Sequence, residues 1–178
     1  DKTFAAAETM IADAGTFIRQ PIVTLRNCDL LLPVFKCRIA PGEKWSGNKD
    51  NAGVYRSTDG GKSWHYSEVP DSLGCVHMNI VQINDSYLVA FFRSRWADFI
   101  YRTESHDAAA SWLAPTHTAL PNNNSSIQCA KLSDGRLAMV YHHSSAADAT
   151  GRRTSLYDDL EDEGTPTKQS TEGRQSFW

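Results

Sequence analysis

The apolar residues of this chain fall into short paired runs around polar turns, and the pairs repeat. Ile22-Val23-Thr24-Leu25 and Leu30-Leu31-Leu32-Pro33-Val34-Phe35 flank Arg26-Asn27-Cys28-Asp29. Ile80-Val81-Gln82-Ile83 and Tyr87-Leu88-Val89-Ala90-Phe91-Phe92 flank Asn84-Asp85-Ser86. Cys129-Ala130-Lys131-Leu132 and Leu137-Ala138-Met139-Val140-Tyr141 flank Ser133-Asp134-Gly135-Arg136. Two apolar runs around a polar turn predict a β-hairpin. After the first two hairpins, Val54-Tyr55-Arg56-Ser57 and Ile100-Tyr101-Arg102-Thr103 predict third strands. A fourth strand is expected to close each unit. Four antiparallel strands in about 50 residues make one blade of a β-propeller.

Each third strand runs into a second repeat. Ser57-Thr58-Asp59-Gly60-Gly61-Lys62-Ser63-Trp64 is followed, in register, by Ser105-His106-Asp107-Ala108-Ala109-Ala110-Ser111-Trp112. Ser57, Asp59, Gly61 and Trp64 correspond to Ser105, Asp107, Ala109 and Trp112. The aspartate can accept backbone N–H bonds and close a tight turn. Gly61 supplies a positive φ. The tryptophan folds back over the turn and packs between sheets. Ala109 must strain the second turn or force a different one. The pattern resembles the Asp box of sialidases and related repeat proteins. In that family the box is structural, so these residues are expected to build the turn and not to catalyse.

The predicted fold is therefore all-β: a propeller of four-stranded antiparallel blades. Blade units are expected at about 18–70, 76–120 and 126–178, with an outer strand of a preceding blade at Phe4 to Ile11. The composition turns polar from Asp148 to Gln175, which predicts a long surface loop over 157–175. Phe177-Trp178 then begins a further strand. Propellers close with about four to eight blades, so this stretch supplies about half of a ring. The rest is expected from the remaining blades of a longer parent chain, or else from further copies of this one.

Composition narrows the partners. The 178 residues are 40% hydrophobic and 22% charged, ordinary values for a globular protein. A formal net charge of −3 gives no field favouring nucleic acid. No apolar run is long enough for a helical membrane span. The sequence begins at Asp1 with no signal-peptide pattern, so its compartment is unspecified. Cys28, Cys37, Cys75 and Cys129 form no CxxC pair, and no histidine cluster has ligand-like spacing. Free thiols are expected, and neither a metal nor an organic cofactor is required.

The register also identifies the functional rim. In an antiparallel blade the start of the first strand and the loop from second to third strand lie at one end; the Asp-box turns lie at the other. Aligning Leu25, Ile83 and Leu132 makes Arg19, His77 and Ser126 equivalent, each at the start of an innermost strand beside the central axis. Phe35, Arg93 and His142 become equivalent near the ends of the second strands. The loops beyond carry Arg38, Lys44, Trp45, Arg95, Trp96, Asp98, His143, Asp148, Arg152 and Arg153 to that end. Asn122-Asn123-Asn124 precedes the third innermost strand. Guanidinium forks suit carboxylates, and amides and aromatic faces suit sugar hydroxyls and C–H faces. An anionic carbohydrate or polysaccharide is the expected partner.

Phe17-Ile18-Arg19-Gln20-Pro21 resembles the Phe/Tyr-Arg-Ile-Pro motif of sialidases, with the R-x-P core kept. The stretches Gly74 to Asn79, Phe92 to Asp98 and Leu120 to Gln128 are similar to a group of predicted neuraminidases with a BNR-repeat-like domain. The resemblance covers nearly the whole chain. It implies a glycoside hydrolase acting on sialic-acid-type glycans. By resemblance Arg19 is one arginine of the triad that clamps the sugar carboxylate; Arg93 and Arg95 are placed as its partners by position alone. The family's tyrosine nucleophile and its glutamate have no counterpart here.

His77 stands outside that family pattern. With an ordinary pKa near ~6.5 it would serve as an acid or base, which opens a second reading: a polysaccharide lyase acting next to uronic acids. A glycan-binding propeller without turnover is the third. The expected catalytic set is His77, Arg19, Arg93, Arg95 and Asp98, the last as an acid. The expected substrate-binding set is Gln20, Asn79, Trp96, Asn122, Asn123, Asn124 and His143.

Overall fold

The computed structural model describes residues 6–42, 45 and 47–148. Lys44, Arg152, Arg153, Phe4, the 157–175 loop and Phe177-Trp178 lie outside the described residues. Eleven strands are present among them, all paired antiparallel, with one 3-10 turn at Ala146–Asp148 and no α-helix. The first sheet holds β1 (Thr16–Ile18), β2 (Val23–Thr24), β3 (Leu30–Lys36), β4 (Asn51–Ser57) and β5 (His65–Glu68). Its order is β1-β3-β4-β5, with β2 continuing the innermost position beside β3. The second holds β6 (Cys75–Gln82), β7 (Leu88–Ser94), β8 (Phe99–Ser105) and β9 (Thr116–Pro121) in sequential order. The third is the hairpin β10 (Gln128–Lys131) and β11 (Leu137–Val140).

Strand alternation explains how the sheets stack. Along β3 and β4, Leu31, Ala52 and Val54 share one side, while Leu32, Val34 and Tyr55 share the other. The first set meets Met78, Ile80, Leu88, Ala90, Phe92 and Trp112 of the second sheet in a single buried cluster. The other side of the second sheet, through Val81, Val89, Phe91 and Ile100, packs on Ile127 and Cys129 of the third. The first two sheets are thus apolar on both sides, as a blade between two neighbours must be. Each such side chain buried fully is worth about 1.5–3 kcal/mol.

The two Asp-box turns superimpose in their bonding. Asp59 Oδ1 accepts the Lys62 and Ser63 N–H groups at 3.0 Å, and Gly61 N–H donates to Ser57 Oγ at 2.8 Å. Asp107 Oδ1 likewise accepts Ser111 N–H at 2.9 Å, and Ala109 N–H donates to Ser105 Oγ at 2.9 Å. Ala108 and Ala109 take φ of 54° and 68°, where Gly60 and Gly61 take 75° and 93°. The alanines therefore bear the left-handed strain and keep the same turn. Trp64 Nε1 donates to the Gly61 carbonyl at 3.0 Å, closing the first turn. Trp112 is buried in the cluster between the first two sheets.

One expected element is absent. Residues 6–11 form no strand. The segment is mostly exposed, and only Ile11 packs, against Leu32, Val34 and Tyr55. All four thiols are free: Cys75 and Cys129 are buried, Cys37 is half-buried and Cys28 is exposed. Burial pushes the Cys75 thiol up to about 12.

Candidate functional site

Both innermost strands are irregular at the same end. In the first sheet β1 pairs Ile18 with Val34, and β2 pairs Val23 with Leu31, so residues 19–22 bulge out of the ladder. Pro21 lies in this break and has no N–H to donate. In the second sheet Val76 pairs with Arg93 and Asn79 with Phe91, leaving His77 and Met78 opposite one residue. His77 takes φ 56°, a conformation that costs a side-chain-bearing residue energy and persists only where the surroundings impose it. Bulges re-aim side chains. Here Arg19 lies in the break of the first sheet and His77 in the bulge of the second, both out of the blade alternation.

His77 is the centre of the constellation. Its Nδ1 lies 3.3 Å from Ser126 Oγ and 3.4 Å from Arg93 Nη1. Its ring packs 5.3 Å from that of Phe35. Arg93 Nε donates to Asn124 Oδ1 at 2.7 Å, and Asn124 holds φ 64° to present that oxygen. Burial first, then the charges of Arg93, Arg95 and Arg19, push the His77 imidazole down to about 3. The ring is therefore neutral at pH 7. Since Arg93 donates to Nδ1, the ring proton sits on Nε2. An acid–base group poised near neutrality, the expectation from the residue type, is not what this pocket leaves. Arg19 is exposed and makes no ion pair among the described residues. Residues at this end are distant from the Asp boxes by the length of a strand: Lys36 pairs with Asn51 here, and Leu30 with Ser57 there.

Other expected site residues hold the blades together. Arg95 is buried, and its Nη2 donates to Asp50 Oδ2 at 2.7 Å; its guanidinium lies between the rings of Phe35 and Trp45. Asp98 accepts from Ser94 Oγ at 2.5 Å, from the Phe99 N–H at 2.7 Å and from Tyr101 Oη at 2.9 Å. That carboxylate staples the β7–β8 turn. Trp96 packs its indole on Gly74, whose φ of 76° and missing Cβ make the approach possible. Asn79 donates to Gln20 Oε1 at 3.2 Å and accepts the Cys129 N–H at 2.9 Å. Gln20 donates in turn to the Ile127 carbonyl at 3.4 Å. This chain of bonds ties all three sheets beside the axis.

The asparagine run divides. Asn122 is buried and accepts the N–H groups of Ser94 and Asn124, which builds the turn. Asn123 donates to His142 Nδ1 at 2.7 Å, and Asn124 faces Arg93. His143 is exposed and pairs with its neighbour Tyr141 at 2.8 Å. Arg38 is committed to Asn51 and Glu68, and Asp148 to Ser145. The sequence reading passed over Phe17, Phe35 and Asp50. The aromatics looked like ordinary strand positions. Asp50 sits in a polar loop whose partner, Arg95, is 45 residues away. Pairing Phe35 with Arg93 by repeat position was the signal available for the Phe35 contact.

Face-to-face antiparallel sheets with a fourth strand after each Asp box, and innermost strands broken at one rim, define a sialidase-like β-propeller, part of which this chain supplies. The BNR repeat-like domain family matches residues 1–165, and the chain belongs to that family. Among solved structures, a point mutant of the NanB sialidase from Streptococcus pneumoniae is similar with a TM-score of 0.54 at 18% identity, over 70% of this chain and 19% of that one. The Hadza microbial sialidase Hz136 gives a TM-score of 0.54 at 17% identity, over 75% of this chain and 25% of that one. The chain thus spans a fifth to a quarter of those proteins, and the likeness is one of fold. No curated protein matches the sequence. Among the described residues no helix is long and apolar enough to cross a membrane, and no three His, Cys, Asp or Glu side chains are grouped to hold a metal.

Proposed function

We propose that this chain supplies the carboxylate-recognising part of a sialidase-like glycoside hydrolase acting on anionic, sialic-acid-type glycans. The observation that supports the reading is the contact of Arg93 with the neutral ring of His77, a ring on which the charge of Arg19 also acts. The Arg93 guanidinium beside an uncharged ring, with the exposed Arg19 near enough for its charge to act on that ring, offers positive charge to an anion. Arg95, spent on Asp50, contributes its field only. Nε2–H of His77, the Ser126 hydroxyl and the Asn124 amide provide further polar groups for sugar hydroxyls.

A histidine held near 3 is a poor base at neutral pH, which removes the main support for a lyase reading. Asp98 accepts three hydrogen bonds, and a tyrosine nucleophile with its glutamate is sought in the remaining blades of the parent chain. A parent protein lacking them would retain glycan without cleaving it. The test is to incubate the full-length protein with a fluorogenic sialoside and, separately, with uronate-bearing polysaccharides. Fluorophore release that disappears in Arg19→Ala is the expected outcome. New ultraviolet absorbance from an unsaturated uronate would overturn the reading in favour of a lyase. Glycan retention without release would reduce it to binding.

A further inference from the structure

We infer that Asn124 is a positioning residue: it holds the Arg93 guanidinium by Nε so that Arg93 fixes the His77 ring in its Nε2–H form. The inference rests on the reading of this rim as the functional site. It brings a loop that enters the third sheet into the site of the second.

Two residues of that loop, between β9 and β10, meet the site. Asn124 Oδ1 accepts the Arg93 Nε–H at 2.7 Å, and Ser126 Oγ lies 3.3 Å from His77 Nδ1. The fully buried Asn122 anchors the loop. Its Oδ1 accepts the Asn124 N–H at 3.0 Å and also the N–H of Ser94, the chain neighbour of Arg93, at 3.2 Å. Its own N–H donates to the Asp98 carbonyl at 3.0 Å. One amide oxygen thus ties the backbone that carries Arg93 to the backbone that carries Asn124.

The backbone of Asn124 shows that its side chain has a task. Its φ of 64° is a conformation that glycine adopts without strain and asparagine at some cost. Glycine fills such a position in the next hairpin, where Gly135 takes φ 87°. At 124 a buried carboxamide stands instead, and its oxygen is spent on a charged donor.

The consequence runs through the ring. His77 Nδ1 has two polar neighbours of different chemistry. The Ser126 hydroxyl can donate or accept, so it serves either neutral tautomer. A guanidinium only donates, so Arg93 Nη1 at 3.4 Å matches a lone pair on Nδ1 and opposes a proton there. Of the two neighbours, Arg93 therefore selects the tautomer. Selection requires the planar guanidinium to keep one orientation, and contacts at two of its nitrogens, Nε and Nη1, supply this. With Nδ1 occupied by the protein, Nε2–H remains a donor suited to a ligand oxygen.

The experiment reads the His77 ring nitrogens by NMR at neutral pH in full-length protein isotopically labelled at histidine, with His77→Asn used to assign them. Wild type, Asn124→Gly, Asn124→Asp and Arg93→Lys are compared, with a melting temperature for each. Asn124→Gly keeps the backbone conformation and removes the carboxamide. Asn124→Asp keeps an acceptor in its place. Arg93→Lys keeps the charge and removes the plane. Wild type and Asn124→Asp are expected to carry the proton on Nε2 alone. In Asn124→Gly and Arg93→Lys the Nδ1–H form is expected to rise to about one-tenth of the population or more. A wild-type signature in Asn124→Gly overturns the proposal, because another contact then holds Arg93. Asn124→Asp behaving like Asn124→Gly also overturns it, by placing the effect outside the acceptor. If Asn124→Gly does not fold, a wild-type signature in Arg93→Lys overturns it in its place. Calorimetry of wild type with N-acetylneuraminic acid keeps the two readings apart. Ring nitrogens that respond as expected, with no acid bound, sustain the positioning role and overturn the carboxylate reading. Acid bound with an unresponsive ring does the reverse.

Discussion

Arg93 Nη1 donates to His77 Nδ1 at 3.4 Å, so a permanent cation is bonded to the lone pair that a proton would otherwise occupy. Protonating His77 would break this contact and set two positive charges together in a buried corner. The site is built to hold the imidazole neutral, and the positive φ of His77 shows that the backbone is bent to place it there.

A pH dependence follows. The folded-state pKa lies below the unfolded value, near 3 against about 6.5. Between those values the unfolded chain binds the extra proton, so stability rises with pH across the window and is lost as pH falls below about 6.5. One such group contributes a slope of up to about 1.4 kcal/mol per pH unit. His77→Asn keeps a residue that tolerates positive φ and does not titrate. Urea unfolding at about pH 7, just above this window, and at about pH 6 and 5 within it, is expected to show a shallower decline in His77→Asn than in wild type. Parallel declines would mean that His77 titrates normally.

Arg19 and Arg95 should separate cleanly. Arg95→Ala leaves the buried Asp50 without its cation and with the Trp45 indole N–H still donating to it, and is expected to cost about 3 kcal/mol or more in stability. Arg19→Ala, at an exposed position, is expected to stay within about 0.5 kcal/mol while losing ligand affinity. Chemical denaturation with a glycan-binding measurement on both variants checks the contrast. Equal destabilisation would assign Arg19 a structural role.

Asn79 is the keystone between sheets. Asn79→Ala strands the buried Cys129 N–H and Gln20 amide, at a cost of about 1–3 kcal/mol. Hydrogen exchange at Cys129 should accelerate in this variant well beyond the change at Val89, which lies on β7 away from the bond. Unchanged protection at Cys129 would show that another acceptor replaces Asn79.

The second Asp box has stability to gain. Ala108 holds φ 54° at the position of Gly60. Ala108→Gly relieves about 1–2 kcal/mol of left-handed strain and returns part of it through the freer unfolded chain. A net gain of about 0.5 kcal/mol in unfolding free energy is expected. A loss would mean that the alanine methyl contributes packing that outweighs its strain.

The sequence carried the architecture because blade order is written in local signals. Paired apolar runs, polar turns and two in-register Asp boxes each act within a few residues, and together they determine strand order and the position of each turn. Even the degenerate box, with Ala109 for glycine, was visible as a place of strain; its bonding pattern survived because Ser105 and Asp107 supply most of the turn's hydrogen bonds.

The division of labour among the polar residues was decided only in three dimensions. Arg93 and Arg95 lie two apart on one strand end and look interchangeable in sequence. Their fates differ because Asp50, from another sheet, reaches one and not the other. The same holds for Asn79 and Asn124. Repeat periodicity specifies which side chains approach the axis. Which of them are consumed by neighbours, and which are left for a ligand, depends on partners about 30 to 60 residues distant, brought near by stacking of sheets driven by apolar burial.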